Sequence, residues 1–178
     1  MERSELGDGW ITLRPPTPAD ADAVAEAVRE SLPELKPWLP WATDDYSPEH
    51  ARAWISKPTD AQGDRVMPFL IVRDGALLGS CGMHIRSETL GEIGYWMRTS
   101  ATGQGIATAA ARLLARFGFE SLGLTRIFIR ADPDNIASQR VAIKTGGSPQ
   151  HPPLLPSSSH THPDGSVHEL VEFVIARA

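Results

Sequence analysis

Cysteine is nearly missing from this chain. Cys81 is the only one in 178 residues, so no internal disulfide can form and a reducing compartment is the expected setting. Positive charge is also scarce: 17 Lys and Arg face 22 Asp and Glu, for a net charge of −5. That balance argues against the dense basic footprint of a nucleic-acid-binding surface. No apolar run reaches membrane-spanning length, and the opening "MERSELGDGW" has no apolar signal region. The expectation is a soluble cytoplasmic protein, with no membrane and no nucleic acid among its partners. What remains is ordinary globular composition, 41% hydrophobic, in a length that suits one domain over residues 1–178 with a real core.

The pattern of the chain mixes strands and helices. Trp10 to Arg14 reads as a first strand ended by Pro15 and Pro16. Thr17 is a suitable N-cap, Pro18 suits the first helical position, and Ala21, Val24 and Val28 form a helical stripe. "LPELKPWLPW" is too proline-rich for a helix and is expected to be irregular. Ser47-Pro48-Glu49 opens a second helix that runs to about Lys57. Val66 to Arg73 and Ala76 to Ile85 are strands joined by Asp74-Gly75, a strong hairpin turn. A turn near Ser87 leads into a further strand, "GEIGYWM". Ile106, Ala109, Ala110, Leu113, Leu114 and Phe117 then follow helical spacing up to Gly123. "TRIFIRA" is a strand, Ile136 to Lys144 a helix, "SPQHPPLLPSSSHTHPDG" a long loop and "HELVEFVIA" a last strand.

The stretch "SATGQGIAT" stands out because it opens a long helix with two glycines. At a helix start the first backbone N–H groups have no intrahelical partner and the dipole is positive. Glycine lets an anion come close to them. From spacing alone, Gly103 and Gly105 either make a tight connection or shape a phosphate cradle from Gly103 to Thr108. No Lys follows the glycines, which argues against a nucleoside triphosphate P-loop, and Thr108 stands where a dinucleotide fold wants a third glycine.

Taken in order, "WITLRPPTPADADAV", "LPELKPWLPWA", "GEIGYWM", "GQGIATAAARLLARFGFE" and "NIASQRVAIKTGG" resemble the GNAT superfamily of acyl-CoA-dependent N-acetyltransferases. The chain is most similar to the RimJ/RimL-type branch, which acetylates protein N-termini. The resemblance implies an α/β GNAT fold: a mixed, mostly antiparallel sheet, central strands that splay apart, and helices on both faces. It implies acetyl-CoA as co-substrate and no metal. By the same resemblance, Gly103, Gln104, Gly105, Ile106, Ala107 and Thr108 would hold the pyrophosphate. Backbone groups of Met97, Arg98 and Thr99 would meet the pantetheine arm, and Asn135 would contact the cofactor.

The implied reaction is attack of an amine on the thioester. Glu92, on the same face of its strand as Gly94 and Trp96, is the candidate base, or else a salt-bridged strand residue. A backbone N–H near Met97 would polarise the carbonyl. Ser138 stands at the family's Asn-x-x-Ser position and is the second candidate catalytic residue; the alternative is a helix residue bonding its own backbone. Trp38 and Trp41 are expected at the rim of an acceptor groove, the alternative being core residues. Thr102, Ala142, Gly147 and Gln150 depart from the family pattern, so a catalytically impaired acyl-CoA-binding protein stays open. The acceptor is a peptide or protein N-terminus, or a small amine or antibiotic. The histidines at 151, 160, 162 and 168 read as a solvated loop with no acid to frame a metal site, and Cys81 as a small buried packing residue. Pairing of exposed strand edges into a homodimer is a further expectation.

Overall fold

The computed structural model describes residues 5–57, 59–60, 63–155, 159–162 and 164–177. In chain order the elements are β1 (Leu6–Gly7), β2 (Thr12–Arg14), α1 (Ala21–Glu30), α2 (Leu32–Leu35), α3 (Pro48–Ser56), β3 (Val66–Arg73), β4 (Ala76–Ile85), β5 (Leu90–Met97), α4 (Ile106–Glu120), β6 (Arg126–Ala131), α5 (Ile136–Lys144), β7 (Gly147–Pro149), β8 (Ser159–Thr161), β9 (Val167–Glu169) and β10 (Val171–Ile175). Eight strands form one sheet in the order β1-β2-β3-β4-β5-β6-β10-β7, and β8 and β9 form a separate hairpin. Every pairing in the large sheet is antiparallel except β5 with β6.

Local chemistry accounts for most of these elements. Asp74 and Gly75 both take positive φ, 50° and 78°, which suits the tight turn between β3 and β4. At the entrance to α1, Thr17 N–H donates to Asp20 Oδ2 at 2.7 Å, and Arg14 clamps the same carboxylate at 2.9 and 2.6 Å. Helices cover both faces of the sheet. Ile106, Leu113 and Leu114 of α4 pack with Leu13, Phe69, Met83, Ile93, Ile127 and Ile129 on one face. Val24, Val28, Leu35 and Ala51 pack with Leu70 on the other.

Four differences from the sequence reading have local or tertiary causes. The proline-rich segment holds one helical turn, α2, because Pro33 falls in the first turn, where a missing N–H costs nothing. The first strand is shorter than expected because Asp8 Oδ1 accepts the N–H groups of Trp10 and Ile11 and curls the chain there. The segment after Gly146 is not all loop: β7 pairs with β10, a partner far along the chain. The last strand divides, β9 joining β8 and β10 joining the main sheet. Among the described residues no helix is long and apolar enough to cross a membrane.

The feature that positions the site is a parting of strands. β5 and β6 pair only at Leu90–Arg126, Gly91–Ile127 and Glu92–Phe128. Beyond that point β5 stays paired to β4 as far as Met97, and β6 stays paired to β10 as far as Ala131. The facing edges of the two strands are therefore left without each other from Ile93 and Ile129 onward.

Candidate active site

The gap between β5 and β6 opens toward the turn that precedes α4. Gly105 is the N-cap of α4 with φ 82°, and Gly103 has φ 73°, both in the left-handed region that favours glycine. A Cβ built on Gly103 would meet no atom within 4 Å, and one on Gly105 only Trp10 at 3.9 Å. No side chain caps this helix and its first turn holds no acid. The amides of Ile106, Ala107 and Thr108 therefore stand at a bare, positive helix end, arranged for an anionic group.

A cation belongs to this turn although none stands within it. Arg73, at the end of β3, donates to Gln104 Oε1 at 3.0 Å and lies 5.8 Å from the Trp10 ring centre. The Gln104 amide in turn donates to Ser100 O at 3.2 Å, while the Thr102 hydroxyl closes back on Thr99 O at 2.8 Å. A groove of about 580 Å³ continues along α4 from Trp10 and Gly105 past Thr108, Arg112 and Arg116. Arg73 and Trp10 escaped the sequence reading because nothing local links them to residue 104.

The end of β5 divides its labour. Arg98 N–H donates to Leu78 O at 2.8 Å and Arg98 O accepts from Ala101. Thr99 N–H donates to the buried Ser31 Oγ at 3.0 Å, and Thr99 O accepts from Thr102. The Arg98 guanidinium pairs with Glu26 and Glu30 of α1. Arg98 and Thr99 thus bind β5 to the first helix and have spent their backbone groups. Strand alternation turns the backbone of Ile93, Tyr95 and Met97 the other way, toward the gap.

Glu92 lies where the strands part. Its carboxylate accepts from Arg86 at 2.8 and 2.6 Å and from Arg130 at 2.9 and 2.6 Å. Arg86 also pairs with Asp60 and, at 2.6 Å, with Asp64. Two guanidiniums occupy both oxygens of the Glu92 carboxylate, an arrangement suited to fixing the apex of the gap.

Ser138 has a partner that sequence reading missed. Tyr95 Oη lies 2.8 Å from Ser138 Oγ, joining β5 to α5 across the gap. Burial lifts the Tyr95 hydroxyl to about 12, against the opposing effect of the Ser138 hydrogen bond, so it stays protonated. Asn135 caps α5 by accepting Ser138 N–H at 3.0 Å. Period-two alternation puts Tyr95 on a face with Ile93 and Met97, but nothing in the sequence says that α5 covers that face.

The other rim carries aromatic and histidine side chains. Trp41 meets Trp96 at 6.2 Å between ring centres, and Trp38 meets His162 edge-on at 5.7 Å. A smaller pocket of about 280 Å³ lies between the 36–44 segment and His160 and His162. The histidines expected to be solvated are not all so: His160 is buried with Nε2 2.8 Å from Pro37 O, and His162 and His168 converge on Asp132 at 2.8 and 3.2 Å. An acid does frame them, supplied by the end of β6. Burial pushes the Asp132 carboxyl up, but the Asp134 N–H and the two imidazoles outweigh it and hold it below the ordinary range. His151 is exposed. Cys81 is buried, and that burial pushes its thiol far up, so it is no nucleophile.

Residues 11–148 match the family model described as acetyltransferase (GNAT) domain. The chain is 32% identical over 143 residues to YdaF of Bacillus subtilis (strain 168), a protein provisionally named a ribosomal N-acetyltransferase, with 76% of each chain covered. Among solved structures, Mycobacterium smegmatis RimJ in complex with CoA-disulfide superposes with a TM-score of 0.77 at 25% identity, covering 93% of this chain and 81% of that one. RimL, a ribosomal L7/L12 alpha-N-protein acetyltransferase in complex with coenzyme A, shares the fold with a TM-score of 0.80 at 19% identity, covering 97% of this chain and 98% of its own.

Proposed function

This chain belongs to the GNAT acetyltransferase family and is an acetyl-CoA-dependent N-acetyltransferase, and from that premise we propose that its acceptor is the α-amine at a protein or peptide N-terminus. The observation that carries the acceptor class is the state of Glu92. Glu92, the acid at the apex of the gap, has both carboxylate oxygens engaged by Arg86 and Arg130. An α-amine with pKa near 8 is about a tenth neutral at pH 7, so deprotonating it costs only about 1 kcal/mol, against about 4–5 kcal/mol for a lysine near 10.4. A gap whose apical acid is tied to two arginines in this way suits the α-amine, which gives its proton to water. The names of YdaF and of RimL point the same way.

The parts divide as follows. Amides from Gly103 through Gln104, Gly105, Ile106 and Ala107 to Thr108 hold the carrier's diphosphate, and Arg73 supplies the positive charge. The Met97 amide faces the gap and polarises the thioester carbonyl as the amine nitrogen attacks its carbon. When the C–S bond breaks, the Tyr95 and Ser138 hydroxyls hydrogen-bond the leaving thiolate. Asn135 keeps Ser138 in place by capping α5. Trp38 and Trp41 flank the incoming peptide, and Glu92 holds the apex of the gap as a positioning residue. The lone buried Cys81 fits a cytoplasmic setting.

The test is release of free coenzyme A with matched peptides. A peptide with a free N-terminus should turn over, and mass mapping should place the acetyl group on its first residue. The same peptide blocked at the N-terminus but carrying a free lysine should not. Preference for the lysine peptide, or for polyamines over both, would overturn the acceptor assignment.

A further inference from the structure

Among the described residues, a group of metal-ligating side chains outside the acetyl-transfer machinery lies where the β8–β9 hairpin meets the end of β6. Asp132, His162 and His168 each offer one ligand atom, all within 4.8 Å of one another. The three contacts are 2.8 Å (Asp132 Oδ2 to His162 Nε2), 3.1 Å (His162 Nε2 to His168 Nδ1) and 3.2 Å (His168 Nδ1 to Asp132 Oδ1), the carboxylate turning one oxygen to each imidazole. Tetrahedral zinc with bonds of about 2.0–2.1 Å needs ligand atoms about 3.3 Å apart, so a small outward shift admits the ion.

Counting protons shows why hydrogen bonds alone do not account for the cluster. An ionised carboxylate brings none, and each imidazole nitrogen brings at most one. Three short contacts therefore share at most two hydrogens, and in every tautomer one contact has none. A cation removes the conflict, because all three atoms then present lone pairs to it. The cluster is also sheltered: the side chains of Asp132, His162 and His168 are only 4%, 11% and 28% exposed. Trp38 closes over the His162 ring.

We propose that Asp132, His162 and His168 form a binding site for a borderline divalent transition metal of the zinc type. Two imidazoles and one carboxylate select zinc, cobalt or nickel over magnesium and calcium, which prefer all-oxygen sites. Three protein ligands leave one position for water or an outside ligand. The ion ties the hairpin to β6 across 30 and 36 residues of chain. It stands beside the acceptor rim but takes no part in the acetyl transfer described above.

The experiment uses tag-free full-length protein stripped with chelator and titrated with zinc sulfate. The wild type should take up one zinc per chain and melt at a higher temperature with zinc than without, as expected for a ligand that binds only the folded state. Magnesium should have no effect. H162Q and H168A should each bind zinc at least a hundredfold more weakly and lose the thermal shift. Because His168 is the most exposed of the three, H168A is expected to fold, which its melt in chelator checks. Cobalt gives a readout that needs no variant: four-coordinate binding produces strong visible absorption in the wild type. Absence of one-to-one zinc binding, equal binding by H162Q and H168A, or cobalt spectra of purely aqueous type would overturn the proposal. Each of these can be read whether or not the acceptor is an α-amine.

Discussion

At the scale of single residues, two side chains decide how the chemistry is read. Glu92 stands where sequence reasoning would place a base, yet it lies between Arg86 and Arg130. Glu92→Gln should therefore act on stability before chemistry: it removes the carboxylate that two mostly buried guanidiniums share, and although Arg86 keeps Asp60 and Asp64, the loss costs about 2 kcal/mol. In the fraction that stays folded, the shape of the kcat-against-pH profile should be unchanged. A melting temperature equal to wild type, with activity lost mainly at low pH, would restore Glu92 as a base. Tyr95 makes the complementary case. Tyr95→Phe removes the hydroxyl that pairs with Ser138 and should lower kcat by about 10²-fold with little change in KM for acetyl-CoA. An unchanged kcat would remove the tyrosine from the leaving-group site. The glycines of the turn could be read from the sequence because a left-handed backbone is a local requirement, whereas Asn135, expected as a cofactor contact, is seen to cap α5. Tyr95, Arg73 and Asp132 could not be read there, because each acts on a partner dozens of residues away.

At the scale of elements, local rules located most helices and strands. β3 and β4 have the expected bounds, since Asp74-Gly75 fixes the turn and the runs on either side are mostly apolar. Among the elements that escaped are α2, β7, β8 and the break before β10, all short; β7 depends on a distant partner, and β8 and β9 pair only with each other. The α1 entrance carries a pH signature. In the folded chain the Asp20 carboxyl sits well below the ordinary carboxylate range, chiefly because Arg14 donates to it. A carboxyl depressed by folding contributes stability that is whole above its unfolded pKa of about 4 and is lost as pH falls below that. Asp20→Asn should cost about 1 kcal/mol near pH 7, and the gap between variant and wild type should narrow as pH falls from about 5 toward 2. Paired denaturant melts at several pH values measure this. A gap that stays constant or widens would show that the carboxylate charge is not what holds the turn.

At the scale of the molecule, one topological event positions the candidate site. A parallel pair inside an otherwise antiparallel sheet lasts three residues, then opens. The fold class was legible from the ordered series of motifs. The depth of the gap, the commitment of Arg98 and Thr99 to α1, and the gathering of His162 and His168 on Asp132 required tertiary structure, because they depend on which elements become neighbours. The open edges lead to a glycine turn and a helix start that no side chain caps, the place proposed above for the acyl carrier. The most direct test is calorimetric titration of acetyl-CoA into the wild type and Gly105→Val. At φ 82° a β-branched residue is strained and covers the amides. The wild type should bind, and the variant, with its far-ultraviolet circular dichroism unchanged, should bind at least about tenfold more weakly. Equal affinity in the two proteins would contradict the account.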